Sequence, residues 1–141
     1  MQDQPRVGRQ RAINPLAAMI FASPFSLFLG AVLCNWAYAS TYQIQWTNFA
    51  SWLVAGGLVF VGAALAWALV KALLHRSKLN WIVVILAAAT FVAGLLTALV
   101  LARDAWAAMP ESQILCVLTL VLATAANWVA LSNWTAPERT R

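Results

Sequence analysis

The stretch WIVVILAAATFVAGLLTALVLA, residues 81–102, decides the fold because it is apolar throughout and carries no charged side chain. A helix rises about 1.5 Å per residue, so about 20 apolar residues cross a hydrocarbon core of about 30 Å. Three more runs share this character, residues 15–39, 49–73 and 113–132, and no carboxylate lies inside any of the four. The sequence therefore predicts an all-α membrane protein with four transmembrane helices.

The composition predicts the same class independently. The chain is 63% hydrophobic and only 9% charged, whereas a soluble domain carries about 25% charged residues. With most of its 141 residues in the four runs, the chain is predicted to form one transmembrane domain, residues 15–132, between a polar head, 1–14, and a polar tail, 133–141. Its net charge of +5 is not gathered in a stripe, so no nucleic-acid partner is predicted.

The basic residues flank the apolar runs and predict an orientation. In a four-span weave, eight of the nine Lys and Arg residues fall on one side: Arg6, Arg9, Arg11, Lys71, Arg76, Lys78, Arg139 and Arg141. Only Arg103 falls on the other side, beside Asp104 and near Glu111. By the positive-inside rule, the chain is predicted to be an up-down bundle in a bacterial inner membrane, with both termini in the cytoplasm.

The first run is an alternative candidate for a cleavable leader. A basic head precedes it, and Ala37-Tyr38-Ala39 imitates a small-residue cleavage site. The run is longer than a leader core of about 7–15 residues, however, and it contains Ser23-Pro24 in its middle. Retention as a transmembrane helix is therefore predicted.

Small residues recur at helical spacing inside three of the spans. Lipid tails do not drive apolar helices together, so small residues are needed to let backbones approach closely. The predicted packing faces are Ala87, Thr90, Gly94, Thr97 and Ala98; Ser51, Ala55, Gly62 and Ala66; and Thr119, Ala123, Ala126 and Ala130. Plain packing is the favoured interpretation over a functional cavity, and Leu, Ile, Val and Phe on the opposite faces are expected to meet lipid.

Three residues within the spans are candidates for a special role. Pro24 removes a helical hydrogen bond and predicts a kink over residues 22–24, which serves either packing or a hinge. Asn35 lies toward the outer end of the first span and Asn127 toward the inner end of the fourth. Each is expected to reach a backbone group, a hydroxyl or interfacial water, as packing glue worth about 0.6–2 kcal/mol rather than as a ligand contact.

The two cysteines, Cys34 and Cys116, are predicted to lie at similar depth on inward faces. If the first and fourth spans are neighbours, the thiols come close, and a disulfide needs Cα atoms about 4.4–6.8 Å apart. Free packing thiols are the favoured interpretation, because single cysteines in apolar helices behave as small hydrophobes. The spacing fits no zinc or redox motif.

The chemistry of catalysis is poorly represented in the sequence. The single histidine, His75, lies in a basic connection, and no phosphate-binding loop, nucleophile elbow or histidine pair occurs. A bis-histidine haem would require a second copy of the chain. Lys71, near the end of its span, is expected to extend its ammonium to the interface. The sequence therefore predicts neither an enzyme nor a cofactor or metal.

Several motifs together resemble a known family. They are Asn14-Pro15-Leu16, Ser23-Pro24-Phe25-Ser26, Asn35-Trp36-Ala37-Tyr38, residues 46–53, Ala55-Gly56-Gly57-Leu58 and Arg103-Asp104-Ala105-Trp106. In order and spacing, over about residues 13–134, they resemble the bacterial domain-of-unknown-function 2231 family. That resemblance implies a small four-helix inner-membrane protein.

The chain departs from that family at ionisable positions. Members often carry His-Pro where Asn14-Pro15 stands, an Asp at Asn35 and an acid at Lys71, and a histidine near residues 81–83. The resemblance therefore supports architecture more than chemistry.

Three functions are weighed on these grounds. The favoured one is a non-catalytic subunit or scaffold that packs with a membrane-protein partner or with its own copies through small-residue helix faces. The alternative is a transporter of a small or lipid-like solute, although the embedded acid of familiar four-span transporters is missing. A haem- or quinone-linked electron-transfer protein is the third.

Overall fold

A computed structural model describes residues 15–74, 77–103 and 105–135. These residues form four long helices and one short one: α1 Pro15–Thr41, α2 Ile44–Leu74, α3 Lys78–Leu101, α4 Ala105–Ala108 and α5 Glu111–Thr135. The four long helices are long and apolar enough to cross a membrane. For the described residues, this confirms the prediction of an all-α fold with four helices that are able to span a membrane.

The helices extend beyond the apolar runs that predicted them. α2 begins at Ile44 rather than near residue 49, and α3 begins at Lys78 rather than near residue 81. The added turns include polar residues such as Gln45, Asn48 and Lys78, which interrupt the apolar pattern although the chain is already helical there.

A tight corner joins α1 to α2. Tyr42 has a φ of 54°, in the left-handed region, and its N–H donates to the carbonyl of Tyr38 at 2.8 Å. A left-handed residue that donates back into the last turn is a common way to end a helix. Only Tyr42 and Gln43 separate the two helices, so the long connection expected over residues 40–48 is largely helical.

Each long helix packs against two others. α1 contacts α2 and α5, and α3 contacts the same two helices. The first and last spans are therefore neighbours, which was the condition for the two thiols to come close.

Burial agrees with the predicted packing faces of α3 and α5 but not with that of α2. Ala87, Thr90, Gly94 and Thr97 are buried, and so are all four predicted residues of α5. In α2, Ser51 and Gly62 are half-buried, but Ala55 and Ala66 are exposed, so the predicted face is wrong for these two alanines. The buried face instead comprises Thr47, Ala50, Val54, Gly57, Val61, Ala64, Ala68 and Ala72. Small residues surround α2 on several sides, and spacing alone selects among them poorly.

The centre of the bundle is a phenyl ring set between two glycines. Phe28 of α1 is 1% exposed. A Cβ added at Gly57 of α2 would lie 2.8 Å from Phe28 Cε1 and Cζ, and one added at Gly94 of α3 would lie 3.5 Å from Phe28 Cζ. Phe28 lies in the first span, for which no packing face was predicted, and the two glycines leave room for its ring inside the bundle.

Large apolar side chains cover the outside of the bundle as well. Examples on different helices are Val59, 71% exposed, Leu99, 59% exposed, and Val121, 58% exposed. Helices that are hydrophobic all round are typical of membrane spans, since lipid solvates the outer face. The molecule has the character of a multi-pass membrane protein.

Candidate functional site

A buried polar contact joins α1 to α5. The Nδ2 of Asn35 donates to the Sγ of Cys116 at 3.1 Å, and both residues are 1% exposed. Sequence reasoning expected a backbone group, a hydroxyl or water as the partner of Asn35, whereas the structure gives a thiol. The Oδ1 of Asn35 is buried without a hydrogen-bond partner. The side-chain amide of Asn35 therefore has a partner for its Nδ2 but none for its Oδ1.

Both cysteines are free thiols. Cys34 is partly buried and packs against the cluster around Phe28, while Cys116 is a member of that cluster. The residue that reaches Cys116 across the α1–α5 interface is Asn35, the neighbour of Cys34 in the chain. Because successive residues of a helix point about 100° apart, Cys34 is turned away from this contact.

Two threonines link α3 to α5 in the same half of the bundle. The hydroxyls of Thr97 and Thr119 are 3.1 Å apart, and both residues are fully buried. Each hydroxyl also lies 2.8 Å from the carbonyl four residues earlier, Ala93 and Leu115 respectively. A hydroxyl has one proton, so only two of these three contacts are hydrogen bonds at any time. Sequence reasoning placed both threonines on packing faces but did not pair them.

Pro24 and Asn127 line one cavity in the middle of the bundle. It measures about 20 Å³, receives side chains from all four long helices, and also contacts Thr90. The Oδ1 of Asn127 is buried without a partner. Pro24 and Asn127 were considered separately on sequence alone, because the sequence does not show how each helix is rotated in the bundle. The volume suits one water molecule.

The helix continues through Pro24. Proline has no N–H, so the carbonyl of Ile20, four residues earlier, loses its usual donor. The hydroxyl of Ser23 donates to Met19 O at 2.7 Å, one residue before the freed carbonyl. The nearby hydroxyl therefore does not replace the bond that proline removes.

A second cavity lies where α2 ends and α3 begins. It measures about 10 Å³ and is lined by Trp67, Lys71 and Asn80 together with apolar residues from α1, α3 and α5. The Nε1 of Trp67 is buried without a hydrogen-bond partner. Sequence reasoning expected the ammonium of Lys71 to reach the interface, and it did not connect Lys71 with Trp67 and Asn80. The i, i+4 spacing of Trp67 and Lys71 on one helix was the available signal.

A larger apolar groove lies at the other end of the bundle. It measures about 340 Å³ and is lined by Trp36, Tyr38, Ala39, Tyr42, Met109, Pro110 and Gln113. The Oε1 of Gln113 is buried without a partner. Its size is near the lower end of the range for small-molecule pockets, about 300–1,000 Å³. Sequence reasoning missed this groove because its walls come from separate parts of the chain.

The charged residues at this end form one surface contact. Arg103 Nη1 lies 3.2 Å from Glu111 Oε2, and both side chains are more than half exposed. A solvent-exposed pair of this kind stabilises by about 0–1 kcal/mol. Asp104, the neighbour of Arg103 in the sequence, lies outside the described residues. The polar head, His75, Arg76 and residues 136–141 lie outside them as well.

Within the described ranges, His, Cys, Asp and Glu form no cluster of three that would hold a metal ion. The polar groups instead make single contacts between helices and leave several buried atoms unpaired.

Comparison with protein-family models, curated proteins and solved structures finds no match to this chain. The resemblance to the domain-of-unknown-function 2231 family therefore stays a prediction.

Proposed function

We propose that the chain is a non-catalytic membrane subunit or scaffold that packs with another helix through the outer face of α2. The proposal places it in a bacterial inner membrane as an up-down bundle with both termini in the cytoplasm. The partner is a second membrane protein or another copy of the chain.

The observation that carries this proposal is the outward position of small residues on α2. Ala55, Ala63 and Ala66 are exposed, and Val59 between them is 71% exposed. Residues 55, 59 and 63 repeat at steps of four, so they form one ridge on the helix. Small side chains on such a ridge let a neighbouring backbone approach closely, and the four-helix bundle itself does not use this face.

The distribution of charge and the short corner support the orientation. Lys71 and Lys78 lie at the α2–α3 connection, whereas the first connection has no charge. Tyr42 and Gln43 alone separate α1 from α2, which favours two adjacent helices running in opposite directions. An up-down order then puts the basic α2–α3 connection on the same side as the basic head and tail.

The groove of about 340 Å³ favours the alternative, a transporter of a small or lipid-like solute. Inside the bundle, the cavities beside Asn127 and Trp67 measure about 20 and 10 Å³. These volumes accommodate water but not a solute, so a transport path would run between chains. Uptake into proteoliposomes with and without a pH gradient tests this alternative.

The scaffold proposal is tested by enlarging residues on the α2 ridge. Ala55→Leu and Ala63→Leu are expected to abolish a cross-linked complex in native membranes, because each adds a bulky side chain where the partner backbone approaches. Ala22→Leu, at an exposed alanine of α1, is the matched control and is expected to leave the complex intact. A wild-type chain that stays a solitary monomer in membranes and in mild detergent would contradict the proposal.

A further inference from the structure

Hydrogen-bond donors converge on the cavity between the end of α2 and the start of α3. Trp67 and Lys71 lie one turn apart on α2, and Asn80 lies in the first turn of α3. The lining also includes Phe21 and Ala130, which close the cavity from α1 and α5. The hydrogen-bond donors of the lining therefore all come from α2 and α3.

The chemistry of these groups favours an acceptor in the cavity. An indole N–H donates and cannot accept, and the Nε1 of Trp67 is buried without a partner. Lys71 and Asn80, which also line the cavity, carry an ammonium with three donors and a carboxamide with two, and both residues make other contacts as well. A volume of about 10 Å³ has room for a single oxygen atom, so the remainder of a ligand must lie outside.

The charge around the cavity favours an anion over water. Lys71 lines it, and Lys78 begins α3 close by. Among the described residues, the only carboxylate side chain is that of Glu111, which lies at the opposite end of α5 from Ala130 and pairs with Arg103. Outside the described residues, the sequence adds Arg76 to the same connection and Glu138 to the tail after α5. Basic pockets between transmembrane helices are known to hold lipid headgroups.

We propose that this cavity binds one phosphate oxygen of an anionic phospholipid. The indole N–H of Trp67 donates to that oxygen, Lys71 supplies the countercharge, and the rest of the headgroup lies beside Asn80 and Lys78. The inference requires the helices to lie in a bilayer, but it is independent of the partner proposed for α2.

The test uses the full chain, stripped of lipid in mild detergent, with lipid binding measured by native mass spectrometry. Phosphatidylglycerol is expected to bind more tightly than phosphatidylcholine. Trp67→Phe keeps an aromatic ring but removes the donor, and it is expected to weaken phosphatidylglycerol binding by about tenfold, the size of one hydrogen bond to a charged group. Lys71→Met is expected to reduce the preference between the two lipids. Trp128→Phe, at an indole that is 76% exposed, is the matched control.

A melting curve separates binding from folding. Without lipid, Trp67→Phe is expected to melt at or above the wild-type temperature, because it removes an unpaired buried donor. The rise in melting temperature on adding phosphatidylglycerol is expected to shrink in this variant and in Lys71→Met, but not in Trp128→Phe. Equal affinity for the two lipids, equal behaviour of Trp67→Phe and Trp128→Phe, or the same melting shift with inorganic phosphate would each overturn the proposal.

Discussion

Replacing Gly57 with alanine is expected to destabilise the bundle through the ring of Phe28. The new Cβ would lie 2.8 Å from Phe28 Cε1 and Cζ, closer than carbon atoms tolerate. The ring has little freedom to retreat, because it is 1% exposed and Gly94 of α3 also lies near its Cζ. The neighbouring Gly56 provides the control, since its added Cβ would meet Leu27 Cδ1 at an ordinary 3.7 Å.

The comparison of two adjacent glycines isolates the packing effect. Exchanging glycine for alanine raises helix propensity by about 0.8–1.0 kcal/mol, and this gain is nearly the same at both positions. Overpacking of a close-packed core costs about 1–3 kcal/mol. Gly57→Ala is therefore expected to lower the free energy of unfolding by about 1–3 kcal/mol relative to Gly56→Ala.

The assay is reversible unfolding in mixed micelles, followed by circular dichroism as SDS is added. A second substitution, Phe28→Leu, removes the ring that the new methyl group meets, so it is expected to recover much of the loss in the Gly57→Ala background. If Gly57→Ala and Gly56→Ala unfold at the same SDS fraction, or if Phe28→Leu adds its own loss in full, the reasoning about the central ring is refuted.

Two further substitutions test the polar contacts between helices in the same assay. Thr97→Val removes one hydroxyl of the pair with Thr119 and is expected to lower stability by about 0.6 kcal/mol, the typical value in membranes; Thr124→Val, whose hydroxyl donates only within its own exposed turn, is the control, and equal effects would argue against the pair. Cys116→Ala leaves the amide of Asn35 without its partner and is expected to cost about 1–3 kcal/mol, whereas Cys116→Ser, which keeps a polar partner, is expected to cost less. Equal losses for alanine and serine would show that volume, not the hydrogen bond, is what matters at this position.

The class of fold follows from the sequence because bilayer thickness imposes a length on each helix. Four apolar runs without carboxylates predicted four helices, and the structure has four that are long and apolar enough to span. The ends of those helices are harder to predict. The first turn of α2 and that of α3 contain polar residues, and composition does not distinguish an interfacial helical turn from a loop.

The rotation of each helix is the step that sequence reasoning could not complete. Periodicity selected buried residues of α3 and α5 correctly, although residues 87–90 and 123–126 place small side chains all round each helix. It failed for α2, where small residues occur on several sides and where Gly57 faces Phe28.

The polar contacts between helices depend on how each helix is rotated and on how deep each polar residue lies in the bundle. The candidates Asn35 and Cys116 were each identified, but their contact requires the relative setting of α1 and α5. The cavity donor Trp67 was not identified either, since an indole near the end of a span fits both an interface and a buried cavity.

The central claim is that the chain crosses the bilayer four times. Single cysteines at exposed connections test it most directly: Gln43→Cys, Ser77→Cys and Ala107→Cys, with Cys34 and Cys116 replaced by alanine or serine, labelled in intact cells with a membrane-impermeant maleimide. Gln43→Cys and Ala107→Cys are expected to react from outside, and Ser77→Cys only after the membrane is opened. Labelling of all three positions from one side, or recovery of the chain in the soluble fraction, would contradict the account.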